Sequence, residues 1–93
     1  MKTDFEYIRF RKKQSTGKTS VWSCRSIHHG DELGIVKWYG GWRTYCYFPT
    51  VAAIYSRGCL KDIAEFIDLL LAERKNNHIV EANHIISMDE MVT

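Results

Sequence analysis

The chain has 93 residues, 45% of them hydrophobic and 26% charged, with a formal charge of +2. That length provides for one hydrophobic core, and six glycines with a single proline exclude a fibrous or linker-like polymer. No apolar run reaches the roughly 18–20 residues that cross a bilayer, the opening MKTDFEYIRF lacks the apolar stretch of a secretory signal, and three widely spaced cysteines outline no disulfide framework, so the composition predicts a cytoplasmic protein.

In chain order, the first half reads as strands. DFEYIRFRKK (4–13) alternates, with Ile8 and Phe10 on one side and Tyr7, Arg9 and Arg11 on the other. QSTGK (14–18) is a hairpin loop around Gly17, and SVWSCRSI (20–27), rich in β-branched and aromatic residues, is a second strand. HHGDE (28–32) is the next turn and LGIVKWY (33–39) a third strand. Gly40-Gly41 suits a type I′ turn into a fourth strand, WRTYCYF (42–48), which Pro49 ends. A short fifth strand is compatible with AAIYS (52–56).

The period then changes. In CLKDIAEFIDLLLAERK (59–75), Leu60, Ile63, Ala64, Ile67, Leu70 and Leu71 recur at spacings of three and four, while Lys61, Asp62, Glu65, Asp68 and Glu73 lie mostly opposite. Ser56 is the expected N-cap, Asp62 an early acidic residue, and Asn76-Asn77 the stop. The fold class is therefore α+β: a four- to five-stranded antiparallel meander with one long C-terminal amphipathic helix on one face. Residues 1–78 form a single domain, and 79–93 a tail that the pattern leaves open between strand, helix and frayed end.

One helix covers one face of a sheet, so the other face must meet solvent, a partner or a second copy. Along the fourth strand Trp42, Thr44, Cys46 and Phe48 share a side, as do Arg43, Tyr45 and Tyr47. The first set suits burial. The second, with polar tips beside a cation, suits the open face, joined by Tyr7, Arg9 and Arg11, by Arg25, and by Trp38 if the glycine loop has two residues; with three, Trp38 moves to the core side. Rings and cations together recognise proteins, where Trp, Tyr and Arg make hot spots, or single-stranded nucleic acid, where bases stack on rings. The first reading, a protein partner or a second copy, leads; single-stranded nucleic acid is the alternative. The charge is uneven in the same direction: residues 1–48 hold nine Lys or Arg against four Asp or Glu, and residues 49–93 hold four against seven.

GIVKWYGGWRTYCYFP followed by CLKDIAEFID resembles a family of small uncharacterised proteins of phages and prophages, with a KWYxxWRxYxxFP-like hairpin and a helix opening CLxDI. Lys37, Trp38, Tyr39, Trp42, Arg43, Tyr45, Phe48 and Pro49 occupy the hairpin positions, and Cys59, Leu60, Asp62 and Ile63 those of the helix. The resemblance implies a mobile-element accessory protein inside a bacterial host, without assigned catalysis. By analogy with other small phage proteins, it implies action by binding host or phage machinery, as an inhibitor, an adaptor or an anti-defence protein.

No motif points to an enzyme, a cofactor or a small-molecule substrate. Gly17-Lys18-Thr19 ends like a phosphate loop, but Lys12 stands where its first glycine belongs. The histidines and cysteines lack metal-ligand spacing. Cys59 at a helix start has no orienting group indicated beside it. The expected site is thus a partner-binding surface of Arg43, Tyr45, Tyr47, Trp38, Lys37, Tyr7, Arg9 and Arg11.

Overall fold

The structure, a computed structural model, describes residues 1–85, with side chains described for 1–15 and 17–75. Four strands, β1 (Ile8–Thr16), β2 (Thr19–Ser26), β3 (Glu32–Tyr39) and β4 (Thr44–Pro49), precede one helix, α1 (Arg57–Ile85). The sheet order is β1-β2-β3-β4 with every pair antiparallel, which is the expected meander. Among the described residues no fifth strand forms at 52–56. The chain turns at Val51-Ala52, where Ala52 takes φ 68°, and runs on to the helix.

The turns differ from one another. Thr16 pairs with Thr19 around Gly17-Lys18, and Gly17 takes φ 68°, where a side chain would strain the backbone. The Gly40-Gly41 turn is not type I′: neither glycine has positive φ. Tyr39 pairs with Thr44, and the amides of Trp42 and Arg43 both donate to the Tyr39 carbonyl at 3.2 and 2.9 Å. The loop therefore has four residues. Arg43, at φ 55°, supplies the left-handed position that the glycines were expected to fill. Gly41 serves close approach instead, because a Cβ there would meet the Tyr39 ring at 2.8 Å.

Helix α1 begins as expected. Ser56 caps it, its Oγ accepting the Cys59 amide at 3.1 Å. The first turn holds no acidic residue, so Asp62 stands too far along to act on the helix end. The helix also continues through Asn76-Asn77 to Ile85. Asparagine is a weak helix former, costing about 0.7 kcal/mol relative to alanine, and neither glycine nor proline intervenes to stop the helix. Of the tail at 79–93, residues 79–85 continue α1 and 86–93 lie outside the described residues.

The buried stripe of α1 is Ile63, Phe66 and Leu70, with Cys59 and Ile67 half-buried beside it. It is rotated from the expected stripe, leaving Leu60 53% exposed and Ala64 in solvent. The rotation seats Phe66, which is fully buried. Its ring stacks on Phe10 at 3.9 Å and 5°, and meets Trp22 and Phe5 edge-on at 5.1 and 6.5 Å. Ile8, Cys24, Val36 and Tyr45 complete the layer between sheet and helix. Arg74 closes its far end, its guanidinium 4.2 Å from the centre of the Trp38 ring.

Two expectations follow. Phe66→Ala lowers unfolding free energy by about 3–5 kcal/mol in denaturant titration, whereas the exposed Leu60→Ala costs less than about 1 kcal/mol. Burial raises the Cys24 thiol from 9.0 to about 11. Its protonated form is thus favoured in the folded state, a contribution present below pH 9 and lost as pH rises toward 11. Stability measured across that window falls with pH, and falls less steeply in Cys24→Ala.

Candidate binding face

Side chains of a strand alternate, and pairing carries the alternation across a sheet. Ile8, Phe10, Trp22, Cys24 and Val36 are all buried and fix one side of the sheet as the helix side. Val36 pairs with Tyr47 and Trp38 with Tyr45. Both tyrosines, and Trp38 with them, therefore face the helix. Tyr45 is 5% exposed, and Trp38 and Tyr47 are half-buried against the core.

This reverses the expected faces of β4. The polar tips that argued for exposure find partners inside. The Tyr45 hydroxyl accepts the Ser20 amide at 3.2 Å. Tyr47 donates to the Tyr55 hydroxyl at 3.1 Å, and Tyr55 donates to the Leu33 carbonyl. Burial, then the bond to Tyr55, raise the Tyr47 pKa far above that of a free phenol. The Tyr47 ring lies across Gly34, where a Cβ would collide with its hydroxyl end and with the Phe48 carbonyl.

The expected site residues are thus divided. Arg9 and Arg11 stand on the open face, as expected, and Lys37 stands there with them. Tyr45, Tyr47 and Trp38 are on the opposite side. Arg43 belongs to the β3–β4 loop rather than to β4. Tyr7 precedes β1, is 45% exposed, and lies beside the start of α1, with its ring 3.6 Å from where a Gly58 Cβ would be. The Glu6 carboxylate next to it raises the Tyr7 hydroxyl above its ordinary pKa. Trp42, expected in the core, is 75% exposed; Cys46 and Phe48, also expected there, are half-buried on the open face.

The open face joins three of the expected site residues to Arg25, also expected there, and to Phe48, expected in the core. Arg9 pairs with Arg25 across β1–β2, and Arg11 lies opposite Ser23, which pairs with Ile35, which pairs with Phe48. Lys37 reaches along β4, its Nζ 4.8 Å from the centre of the Phe48 ring. Lys13, at the β1 bulge, lies 3.6 Å from Glu32, whose carboxylate also accepts the Ser23 hydroxyl at 2.6 Å. The Ser23 bond and the neighbouring cations hold the Glu32 pKa below the usual carboxylate range, though partial burial works against them. Arg9 meets Asp4 at 3.2 Å, and Arg25 donates to the Gly30 carbonyl at 2.8 Å. Five cations (Arg9, Arg11, Lys13, Arg25 and Lys37) share this face, and two carboxylates, Asp4 and Glu32, pair with members of the set.

Beyond the cations stand rings. Tyr39 meets Phe48 at 6.3 Å and Trp42 at 5.5 Å, both steeply inclined, so a line of aromatic side chains runs from mid-β4 to the tip of the hairpin. The alternation of Ile35, Lys37 and Tyr39 against Val36 and Trp38 is the sequence signal that could have found this face, because a lysine in mid-strand marks the solvent side. Among the described residues, no group of three His, Cys, Asp or Glu is placed to hold a metal ion, and no helix is long and apolar enough to cross a membrane.

No protein-family model matches the chain, and no solved structure does. A curated relative does: an uncharacterized 9.3 kDa protein of Acholeplasma phage L2 is 31% identical over 72 residues, covering 75% of this chain and 91% of that protein. The matched length takes in most of both chains, so the chain belongs to the same family as this phage protein.

Proposed function

We propose that the protein is a non-enzymatic binding protein and that its open sheet face takes nucleic acid. The observation that carries this reading is the grouping of Arg9, Arg11, Lys13, Arg25 and Lys37 on the face that α1 leaves uncovered. Cations concentrated on one surface attract a polyanion, and phosphate contacts supply the affinity of most nucleic-acid binding. Arg11 and Lys37 are exposed, and no salt bridge engages either among the described residues. Tyr45 and Tyr47, which served the protein-partner reading as hot spots and the nucleic-acid reading as stacking rings, both lie on the helix side; the cations that remain on the open face favour a polyanion.

The kinship with a phage protein agrees with a small accessory factor in an infected cell, where nucleic acid is abundant.

A salt series tests the reading. Fluorescence-anisotropy titration of labelled DNA and RNA is expected to show affinity that falls steeply as salt rises. Arg11→Ala and Lys37→Ala each weaken binding several-fold and lower the slope of log K against log salt by roughly 0.7–0.9. Lys61→Ala, on the exposed helix surface, leaves both unchanged. Salt-independent binding, or equal loss in Lys61→Ala, contradicts the reading.

A further inference from the structure

Trp42 lies on a four-residue loop with three-quarters of its surface in water. Leaving a side chain of that size exposed forgoes the free energy of its burial, and loops of this kind are ordinarily polar. The loop is nonetheless well formed. Two amides close on the Tyr39 carbonyl, and Gly41 lets the Tyr39 ring lie against the backbone. Trp42 meets Tyr39 edge-to-face at 5.5 Å and 90°, an arrangement in which one of the two rings keeps both faces clear of the other. Phe48 continues the line, with the Lys37 ammonium above it. Flat π-surface is thus held at one end of the cationic face.

We infer that the ligand of this face is single-stranded nucleic acid, its bases stacking on Trp42 and Tyr39 at the hairpin tip while its phosphates follow Arg11 and Lys37. The inference rests on the nucleic-acid reading above and makes it specific. A duplex keeps its bases stacked on one another and offers the tip nothing, whereas an unpaired strand presents a free face for each base, which is sequence-tolerant and adds to the phosphate contacts. Cations without rings would take duplex, single strand and inorganic polyanion with little preference. The rings are what turn an electrostatic surface into a single-strand surface.

Tryptophan fluorescence reads this directly, because Trp22 is buried and Trp38 is covered by Arg74. The intact protein is titrated with a short oligodeoxythymidine, the corresponding RNA, a duplex and inorganic polyphosphate. Both single strands are expected to quench the emission, and polyphosphate to bind without quenching. Trp42→Phe keeps most of the affinity for single strands but loses the quenching. Trp42→Ala weakens single-strand binding about tenfold or more and leaves polyphosphate binding unchanged. Equal single-strand affinity in Trp42→Ala, or equal affinity of the wild type for duplex and single strand, overturns the stacking inference while leaving the cationic face standing. Absence of binding to all four probes overturns both, and the exposed rings then fall to a protein partner.

Discussion

The pairing of β3 with β4 is the constraint on which the rest depends. Val36 opposite Tyr47 and Trp38 opposite Tyr45 tie the alternation of β4 to that of β3, and β3 is tied through Trp22 opposite Val36 to the strands that carry the core. A helix covers only one side of the sheet. Once α1 lies on the side of Ile8, Phe10 and Val36, every residue of β4 has its face decided. Slipping that pairing by one residue would exchange the two sides of the strand and rebuild the available surface entirely.

Tyrosine can serve on the inner side because its hydroxyl finds partners there. Tyr45 takes the Ser20 amide, and Tyr47 passes a hydrogen bond through Tyr55 to the Leu33 carbonyl. That carbonyl also receives the Thr50 amide at 3.0 Å and the Thr50 hydroxyl at 3.1 Å. One backbone oxygen of β3 therefore pins the segment between β4 and α1, and that segment delivers Ser56 to cap the helix. Phe66, about three turns further on, reaches Phe10 and Trp22 from there. The same chain of contacts that turns the tyrosines inward leaves Lys37, Tyr39 and Phe48 outside.

The sequence made the elements legible where local chemistry decides them. Alternation marked four strands, Gly17 marked a turn, the three-four spacing marked the helix and Ser56 its start. Arg9 and Arg11 were readable as open-face residues because a charge in mid-strand seldom lies in a core, and the same argument applied to Lys37 puts its neighbour Trp38 on the helix side. The sides of β4 were not readable locally, since both hold large side chains and only pairing with β3 distinguishes them. Trp42 was misplaced because the loop takes four residues, with Arg43 in the left-handed region, and nothing in Gly40-Gly41 announces that length. Phe66 fits the helical spacing with Ile63 and Leu70, but its weight in the core depends on Phe10 and Trp22, distant in sequence.

The fold thus has a sealed side, where aromatic rings hold sheet to helix, and an open side, where cations grade into rings toward the β3–β4 tip. The account's central claim is that the second side is the working surface. Amide and side-chain shift mapping by NMR, with a short single strand added to labelled protein, tests it most directly. The account predicts perturbations at Arg9, Arg11, Lys37, Tyr39, Trp42 and Phe48, with Tyr45, Phe66 and the exposed surface of α1 unmoved. Perturbations concentrated on α1, or spread through the core around Tyr45 and Phe66, would contradict it.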